Sequence, residues 1–341
     1  MEAVTTQWRH PAMGTVFNFQ VRGEVPQADA LREATRKLLE EMENSWSRFR
    51  ADSELSQLNA AGRLDYPSTL FQLAIFEASS AYRLTQGRFD PRVKAALTRI
   101  GYERSFADIG TGSELTPGNP PGNLTALPNS LGTFRPYYDI DERKIECSAE
   151  IDLGGIGKGL ALRLLDMHLR ACLGQSHLIE AGGDIITHLA TGDHTPWFID
   201  IESPFATENL PILVRVGSAA IATTSTKVRN WKCGGSVKHH IIDPTTMDSA
   251  ESDLIAVTVI ESDSARAEVL SKWLFLLGLK AATALARERC TAALLVGKDS
   301  GIAYGPALVR YMEIQGPTYT SAQRAEHFDQ ETPFPLVSIT P

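Results

Sequence analysis

Residues 151–159 read Ile-Asp-Leu-Gly-Gly-Ile-Gly-Lys-Gly and lead straight into a helical pattern, which constrains this chain more than any other stretch. Four glycines, an aspartate and a lysine at a helix start suit a phosphate. Gly154, Gly155, Gly157 and Gly159 open backbone conformations closed to other residues and let an anion approach the N–H groups. The positive end of the helix dipole and Lys158 add charge. Gly159 stands where a Walker loop needs Ser or Thr after the lysine, and the spacing is not the G-x-G-x-x-G of a dinucleotide fold. Taken alone, the segment reads equally well as a Gly-rich strand-to-helix turn with a solvated lysine.

An anionic ligand would have to be met locally, because the formal net charge is −8. That balance, with no block of five like charges, argues against a nucleic-acid surface and against polybasic membrane attachment. The N-terminus lacks the basic and apolar regions of a leader, and no apolar run approaches the length of a membrane span. The expectation is a cytoplasmic protein, although a mature chain stripped of a leader would read the same way. Cys147, Cys172, Cys233 and Cys290 are scattered without a C-x-x-C pair, which argues against zinc and fits reduced thiols.

Periodicity gives a mixed chain with no internal repeat. Thr15 to Arg22 alternates as a half-buried strand, and Gln27 to Trp46 carries Leu31, Leu38, Leu39 and Met42 at helical spacing. A second helix is expected over Ser68–Thr85, with Gly87 ending it. The Gly/Pro/Thr/Asn-rich stretch 110–128 reads as a surface excursion. Tyr137–Ile140 and Lys144–Cys147 form a hairpin leading into the glycine element and a helix through Cys172. Later strands are expected at 177–180, 197–202, 212–216, 219–223, 238–242, 254–260, 292–296 and 309–314, with helices at 265–277 and 279–288. Consecutive β-runs without strict βαβ alternation predict an α+β fold. The 341 residues are read as one domain, 1–341, with room for two interleaved lobes.

Chemistry-bearing residues recur at further places: Ala12-Met13-Gly14-Thr15, the Trp46–Asn59 run with its Arg48-Phe49-Arg50, Phe89-Asp90-Pro91, Ala181-Gly182-Gly183-Asp184, and His239-His240-Ile241-Ile242-Asp243-Pro244. Each has a plain structural reading, since Asp-Pro starts turns and a single histidine is more often structural than catalytic. Their joint order carries more. M-G-T, W-S-R-F-R-x-D-S-E-L-S-x-L-N, F-D-P, D-L-G-G-I-G-K-G, A-G-G-D, A-T-x-S and H-I-I-D-P together resemble the ApbE family of FAD:protein FMN transferases, from about Met13 to Gly278.

The resemblance implies an α+β, T-fold-like architecture of largely antiparallel sheets packed with helices, with a FAD cleft between two lobes. It implies cleavage of the FAD pyrophosphate, transfer of FMN to a threonine hydroxyl of an acceptor flavoprotein, release of AMP, and help from Mg2+. A FAD pyrophosphatase or a non-catalytic FAD binder would use the same site. Residue by residue, Met13 and Phe49 match flavin-side positions, Phe49 replacing a usual tyrosine. Arg88, Phe89 and Asp90 match the adenine side. Asp152, Lys158, Gly182, Gly183 and Asp184 match cofactor-binding segments, Ile241 or Ile242 would pack on the cofactor, and His240 resembles the family's general base.

One helix departs from the family pattern. The family shows an aspartate and, four residues on, a threonine that complete a metal site with a carbonyl, here that of Gly155. This chain has Glu268 and Lys272 instead. Glu268 can still offer oxygen to a metal, but a protonated lysine has no lone pair. Lys272 then either faces the diphosphate as a cofactor-binding cation or forms an i,i+4 surface pair with Glu268.

Overall fold

Alternation builds the centre of the molecule. In Thr15–Arg22, Phe17, Phe19 and Val21 turn to one face and are buried. The same period runs through an eight-stranded sheet of Thr5–Ala12, Thr15–Arg22, His177–Ala181, Asp184–His188, Ala219–Ser225, Leu254–Glu261, Ala292–Gly297 and Ile302–Tyr304. Each strand is antiparallel to the next, and their spatial order is their order in sequence. Ile179, Ile186, Ala220 and Ala222 pack on one side, whereas Leu178, Ile185, Ala219 and Ile221 pack on the other. A period of two, buried on both faces, produces this split. The computed structural model describes residues 5–118, 132–139, 141–205, 212–299, 301–313 and 337–339.

Seven α-helices lie among the described residues: α1 (Ala28–Trp46), α2 (Glu54–Ala61), α3 (Thr69–Leu84), α4 (Lys94–Arg99), α5 (Phe106–Ile109), α6 (Gly157–Cys172) and α7 (Ser264–Glu288). Side-chain caps fix three of the starts. Ser53 accepts the Ser56 N–H at 3.0 Å, Ser68 the Phe71 N–H at 3.1 Å and Asp263 the Arg266 N–H at 2.8 Å. α1, α6 and α7 cover one face of the sheet, and the hairpin of Trp197–Ile201 with Ile212–Val216 covers the other. α7 bends at Gly278, whose φ of 73° breaks the helical path, and Asp253 Oδ1 accepts the freed Leu279 N–H at 2.7 Å. The two helices expected at 265–277 and 279–288 are its two arms. Among the described residues α7 alone is long and apolar enough by composition to cross a membrane. Its buried Trp273, Leu274 and Phe275 instead pack in the core beside the Leu254–Glu261 strand.

Insertions between sheet strands build a smaller core from Ala96, Leu97, Ile100, Trp231, Ile242 and Met247, closed by Trp231 Nε1 donating to the Ile100 carbonyl at 2.7 Å. A cleft lies between this lobe and the helical layer.

Three expected elements differ. Residues 309–313 are not a strand: Pro306–Arg310 forms a 3-10 turn with proline near its start, where a missing N–H costs nothing, and Met312 makes a single bridge to Val214, while residue 314 lies outside the described residues. The run 238–242 divides into Ser236–His239 and Ile242–Asp243, leaving His240 and Ile241 outside the ladder. In the expected excursion, Glu114–Leu115 pairs in parallel with Lys232–Cys233; residues 119–128 lie outside the described residues.

Candidate active site

Five cationic side chains, Arg48, Arg88, Lys158, Arg229 and Lys272, and three carboxylates, Glu43, Asp90 and Asp152, line the cleft between the lobes. Its empty volume, open mouth included, is about 1150 Å³. In a chain of net charge −8, this is the local concentration of positive charge that an anionic ligand requires.

The glycine element forms the floor, but for a reason other than positive φ. None of Gly154, Gly155, Gly157 and Gly159 lies in the left-handed region. Gly159 permits close helix packing: a Cβ there would fall 2.5 Å from the Ser264 carbonyl oxygen of α7, and Ser264 Oγ donates back to the Gly159 carbonyl at 2.6 Å. At Gly155 a Cβ would meet the Phe89 ring at 2.9 Å. The turn nevertheless leaves donors free. Asp152 Oδ1 takes the Gly154 N–H, Leu153 O takes those of Ile156 and Gly157, and Glu268 Oε2 takes that of Gly159. The N–H groups of Gly155 and Lys158 have no internal acceptor among the described residues, and both residues line the cleft at the start of α6.

Behind this floor sits a four-charge cluster. Lys158 Nζ binds the Asp184 carboxylate and lies 3.3 Å from Glu268 Oε1, which also accepts from Lys272 Nζ at 3.0 Å. α7 brings Glu268 and Lys272 together because residues four apart share a helix face. Burial opposes the charge of Lys158, yet Asp184 and Glu268 outweigh it and hold its pKa above the ordinary value. Lys272 goes the other way: burial, with Lys158 nearby, pulls its pKa down.

Gly182, Gly183 and Asp184 stand behind the cleft wall, not in it. The two glycines form the tight turn between paired Ala181 and Asp184, with φ of 58° and 91°, and Asp184 is a buried partner of Lys158 and of the Thr223 N–H. Asp90 reaches the cleft, but Arg92 holds its carboxylate in a buried pair with contacts of 2.9 and 2.7 Å. Arg88 is exposed beside it, and no carboxylate partners it among the described residues.

At the other end, Arg48 joins three neighbours. Its Nε lies 2.7 Å from Asp152 Oδ2, its guanidinium donates to the Tyr102 carbonyl at 2.7 Å, and its plane covers the rings of Phe49 and Tyr102 at 4.2 and 4.6 Å. Phe49 is 41% exposed and meets Tyr102 edge-on, leaving aromatic surface for a planar ligand. Met13 closes this end, its backbone N–H donating to Glu43 Oε1 at 2.7 Å.

The two adjacent histidines have different environments. His239 uses both ring nitrogens, with the Ala250 carbonyl at 3.1 Å and the Ile241 N–H at 3.3 Å, and does not line the cleft. His240 and Ile241 do. A long contact of 3.5 Å from Nδ1 to the Arg229 carbonyl favours a proton on Nδ1, leaving Nε2 unprotonated and without a partner among the described residues. Burial, then the nearby Arg229 and Lys272, push its pKa well below 6.5, so the imidazole is neutral and able to accept a proton.

The family model for ApbE matches residues 13–295, which contain every cleft residue named above. The chain belongs to the ApbE family. It is 27% identical over 305 residues to the FAD:protein FMN transferase of Vibrio cholerae, covering 85% of this chain and 87% of that relative. Identity to the Haemophilus influenzae FAD:protein FMN transferase is 24% over 310 residues, covering 85% and 86%. The fold is similar to the solved flavin transferase ApbE from Vibrio cholerae, with a TM-score of 0.72 at 23% identity, covering 91% of this chain and 99% of that one. It is also similar to the ApbE protein from Thermotoga maritima, with a TM-score of 0.77 at 22% identity over 91% and 100%. The expected α+β architecture is theirs.

Against the metal site expected from the ApbE pattern, the donor chemistry here does not fit. Magnesium takes six oxygens at about 2.1 Å. Glu268 already accepts from two ammonium groups and one N–H, and an ion bound to it beside Gly155 would face Lys158 and Lys272 at close range. Arg229 and Tyr102 are cleft residues that no motif marked. Each comes from a segment without local periodicity, placed by the smaller core.

Proposed function

We infer that this chain is a FAD:protein FMN transferase that binds FAD in the cleft, moves FMN onto a threonine hydroxyl of an acceptor flavoprotein and releases AMP. The observation that carries the reading is the convergence on one cleft of a neutral imidazole with a free Nε2, two unpaired N–H groups at a helix start, and cationic side chains. The names of the relatives support the same activity.

In this reading the diphosphate lies against the Gly155 and Lys158 N–H groups, where the dipole of α6 and the cleft cations favour it. The exposed Phe49 ring offers a stacking face for the isoalloxazine, and the Arg88–Asp90 segment takes the adenine side. His240 Nε2 accepts the proton of the threonine hydroxyl as its oxygen attacks the FMN phosphorus. An oxygen–phosphorus bond forms to the threonine, the bridging bond to the AMP phosphate breaks, and AMP leaves with that electron pair. Bound diphosphate would raise the depressed pKa of His240 toward the working range, because negative charge favours the imidazolium. Magnesium, expected from the family pattern, is left out of this proposal because Glu268 and Lys272 occupy its positions.

Incubation with FAD tests the reading. AMP release that requires an acceptor flavoprotein, with covalent flavin fluorescence on the acceptor in a denaturing gel, supports transfer. AMP release without acceptor identifies a FAD pyrophosphatase, and retention of intact FAD identifies a binding protein.

A further inference from the structure

Two lysines share one carboxylate oxygen at the edge of the cleft, and their surroundings differ. Lys158 is matched by both Asp184 and Glu268, whereas Lys272 has Glu268 alone, at 3.0 Å. An ammonium carries three donors, so two of those on Lys272 have no partner among the described residues. The lysine lines the cleft with its side chain 16% exposed, and a Cβ built on Gly155 would lie 3.8 Å from its Cδ. Its stem therefore runs along the same turn that presents the free N–H groups of Gly155 and Lys158.

Charge is balanced within the cluster, two ammonium groups against two carboxylates. Arg88 and Arg229 add two positive charges that no carboxylate offsets among the described residues, the number a diphosphate diester carries. Both acceptor sites of Glu268 Oε1 are taken by the lysines and one of Oε2 by the Gly159 N–H at 2.8 Å, so a metal on the remaining Oε2 site would sit beside two ammonium groups.

We propose that Lys272 takes the place of the divalent cation at this site, so that the FAD diphosphate is bound through Lys272, Arg229 and the α6 N–H groups without metal, with Arg88 adding its charge from the adenine side. The proposal rests on the FAD reading above and adds to it that this chain is metal-independent. No step of the transfer then needs a Lewis acid, and the charge developing on the departing AMP phosphate is met by fixed ammonium and guanidinium groups.

FAD affinity, measured at equilibrium by flavin fluorescence and calorimetry rather than by turnover, tests it. EDTA-treated protein should bind FAD as tightly as protein in excess magnesium. Lys272→Met should weaken binding by about tenfold or more, the worth of a charge-assisted hydrogen bond, and magnesium should not restore it. The double variant Glu268→Asp, Lys272→Thr recreates a carboxylate and hydroxyl pair and should bind FAD well only with magnesium. Thermal melts of each variant establish folding, and the single variant keeps the test sharp should the double one not fold. Wild-type binding that needs magnesium, or unchanged affinity in Lys272→Met, overturns the proposal while leaving the FAD reading intact. Absence of FAD binding with and without magnesium overturns both.

Discussion

Glu268 Oε2 accepts the Gly159 N–H at 2.8 Å, so a carboxylate on α7 satisfies the first turn of a helix 109 positions earlier in the chain. No side chain within α6 does this work, since Ile156 at its N-cap offers no acceptor. The same carboxylate neutralises Lys158 and Lys272, and its pKa is driven down by these ammonium groups despite nearly complete burial. Glu268→Ala would leave Lys158 with Asp184 alone and the Lys272 ammonium without a carboxylate, and would strand a buried N–H. Loss of about 3 kcal/mol is expected in urea unfolding near neutral pH. A loss below about 1 kcal/mol would mean that solvent already screens the cluster.

Two glycines of one motif should respond in opposite ways to the same substitution. Gly159→Ala pushes a Cβ to 2.5 Å from the Ser264 carbonyl, backbone against backbone, where neither side can yield cheaply. A cost of about 1–3 kcal/mol is expected. At Gly157 a Cβ would meet nothing within 4 Å and φ is not positive, so Gly157→Ala should be neutral or stabilise by about 0.5–1 kcal/mol through the unfolded chain. Melting temperatures of the ligand-free proteins decide this, and equal losses in both would contradict the close-packing account of Gly159.

The period-two and period-3.6 patterns made most of the fold legible, because burial on defined faces is what writes them. Thr15–Arg22, α1, α3 and α6 lie where spacing puts them. The first strand escaped because Arg9, His10 and Pro11 mask its alternation, Pro11 being tolerated on an edge strand. The glycine element was legible as a helix start, but its glycines answer to neighbours far away in sequence, Phe89 and Ser264, which no local pattern records. Asp90 and Asp184 read as ligands when their environment was unknown, and the structure gives their carboxylates to Arg92 and Lys158. Arg229 carried no signal, since only the folding of a hairpin insertion onto the smaller core brings it beside His240.

His240 and His239 are adjacent but should not be interchangeable. His240→Ala removes the free Nε2 from the cleft and should lower transfer by about 10²–10⁴-fold while leaving FAD affinity within a few fold. His239→Ala breaks contacts to the Ala250 carbonyl and the Ile241 N–H, so its main effect should be on stability. Transfer rates at saturating FAD, set beside melting temperatures, separate the two. Similar mild rate losses in both variants would make both histidines structural.

Acid should destabilise this protein well before its carboxylates titrate, and His239 is a cause. Burial, with Lys298 and Lys238 adding repulsion that Asp248 and the Ala250 carbonyl only partly offset, pushes its pKa down to about 4 from an ordinary 6.5. Between those values the unfolded chain takes up a proton that the folded chain refuses, so stability falls as pH drops through the window and is unaffected above it. One such group contributes a slope of at most about 1.4 kcal/mol per pH unit. His240 shifts in the same direction and adds to the slope. Glu268 and Asp248, whose folded pKa values are lowered, lose their contribution only below their ordinary values of 4.5 and 3.8, outside the interval from pH 7 to 5. Urea unfolding of the ligand-free protein at pH 7 and pH 5 should show the loss, and His239→Gln should reduce it by up to one proton's worth. Because bound FAD would favour the imidazolium of His240, saturating FAD should flatten the remaining slope. A wild-type stability that is level from pH 7 to 5, or a slope unchanged in His239→Gln, would show that the imidazole is reached by water in the folded state.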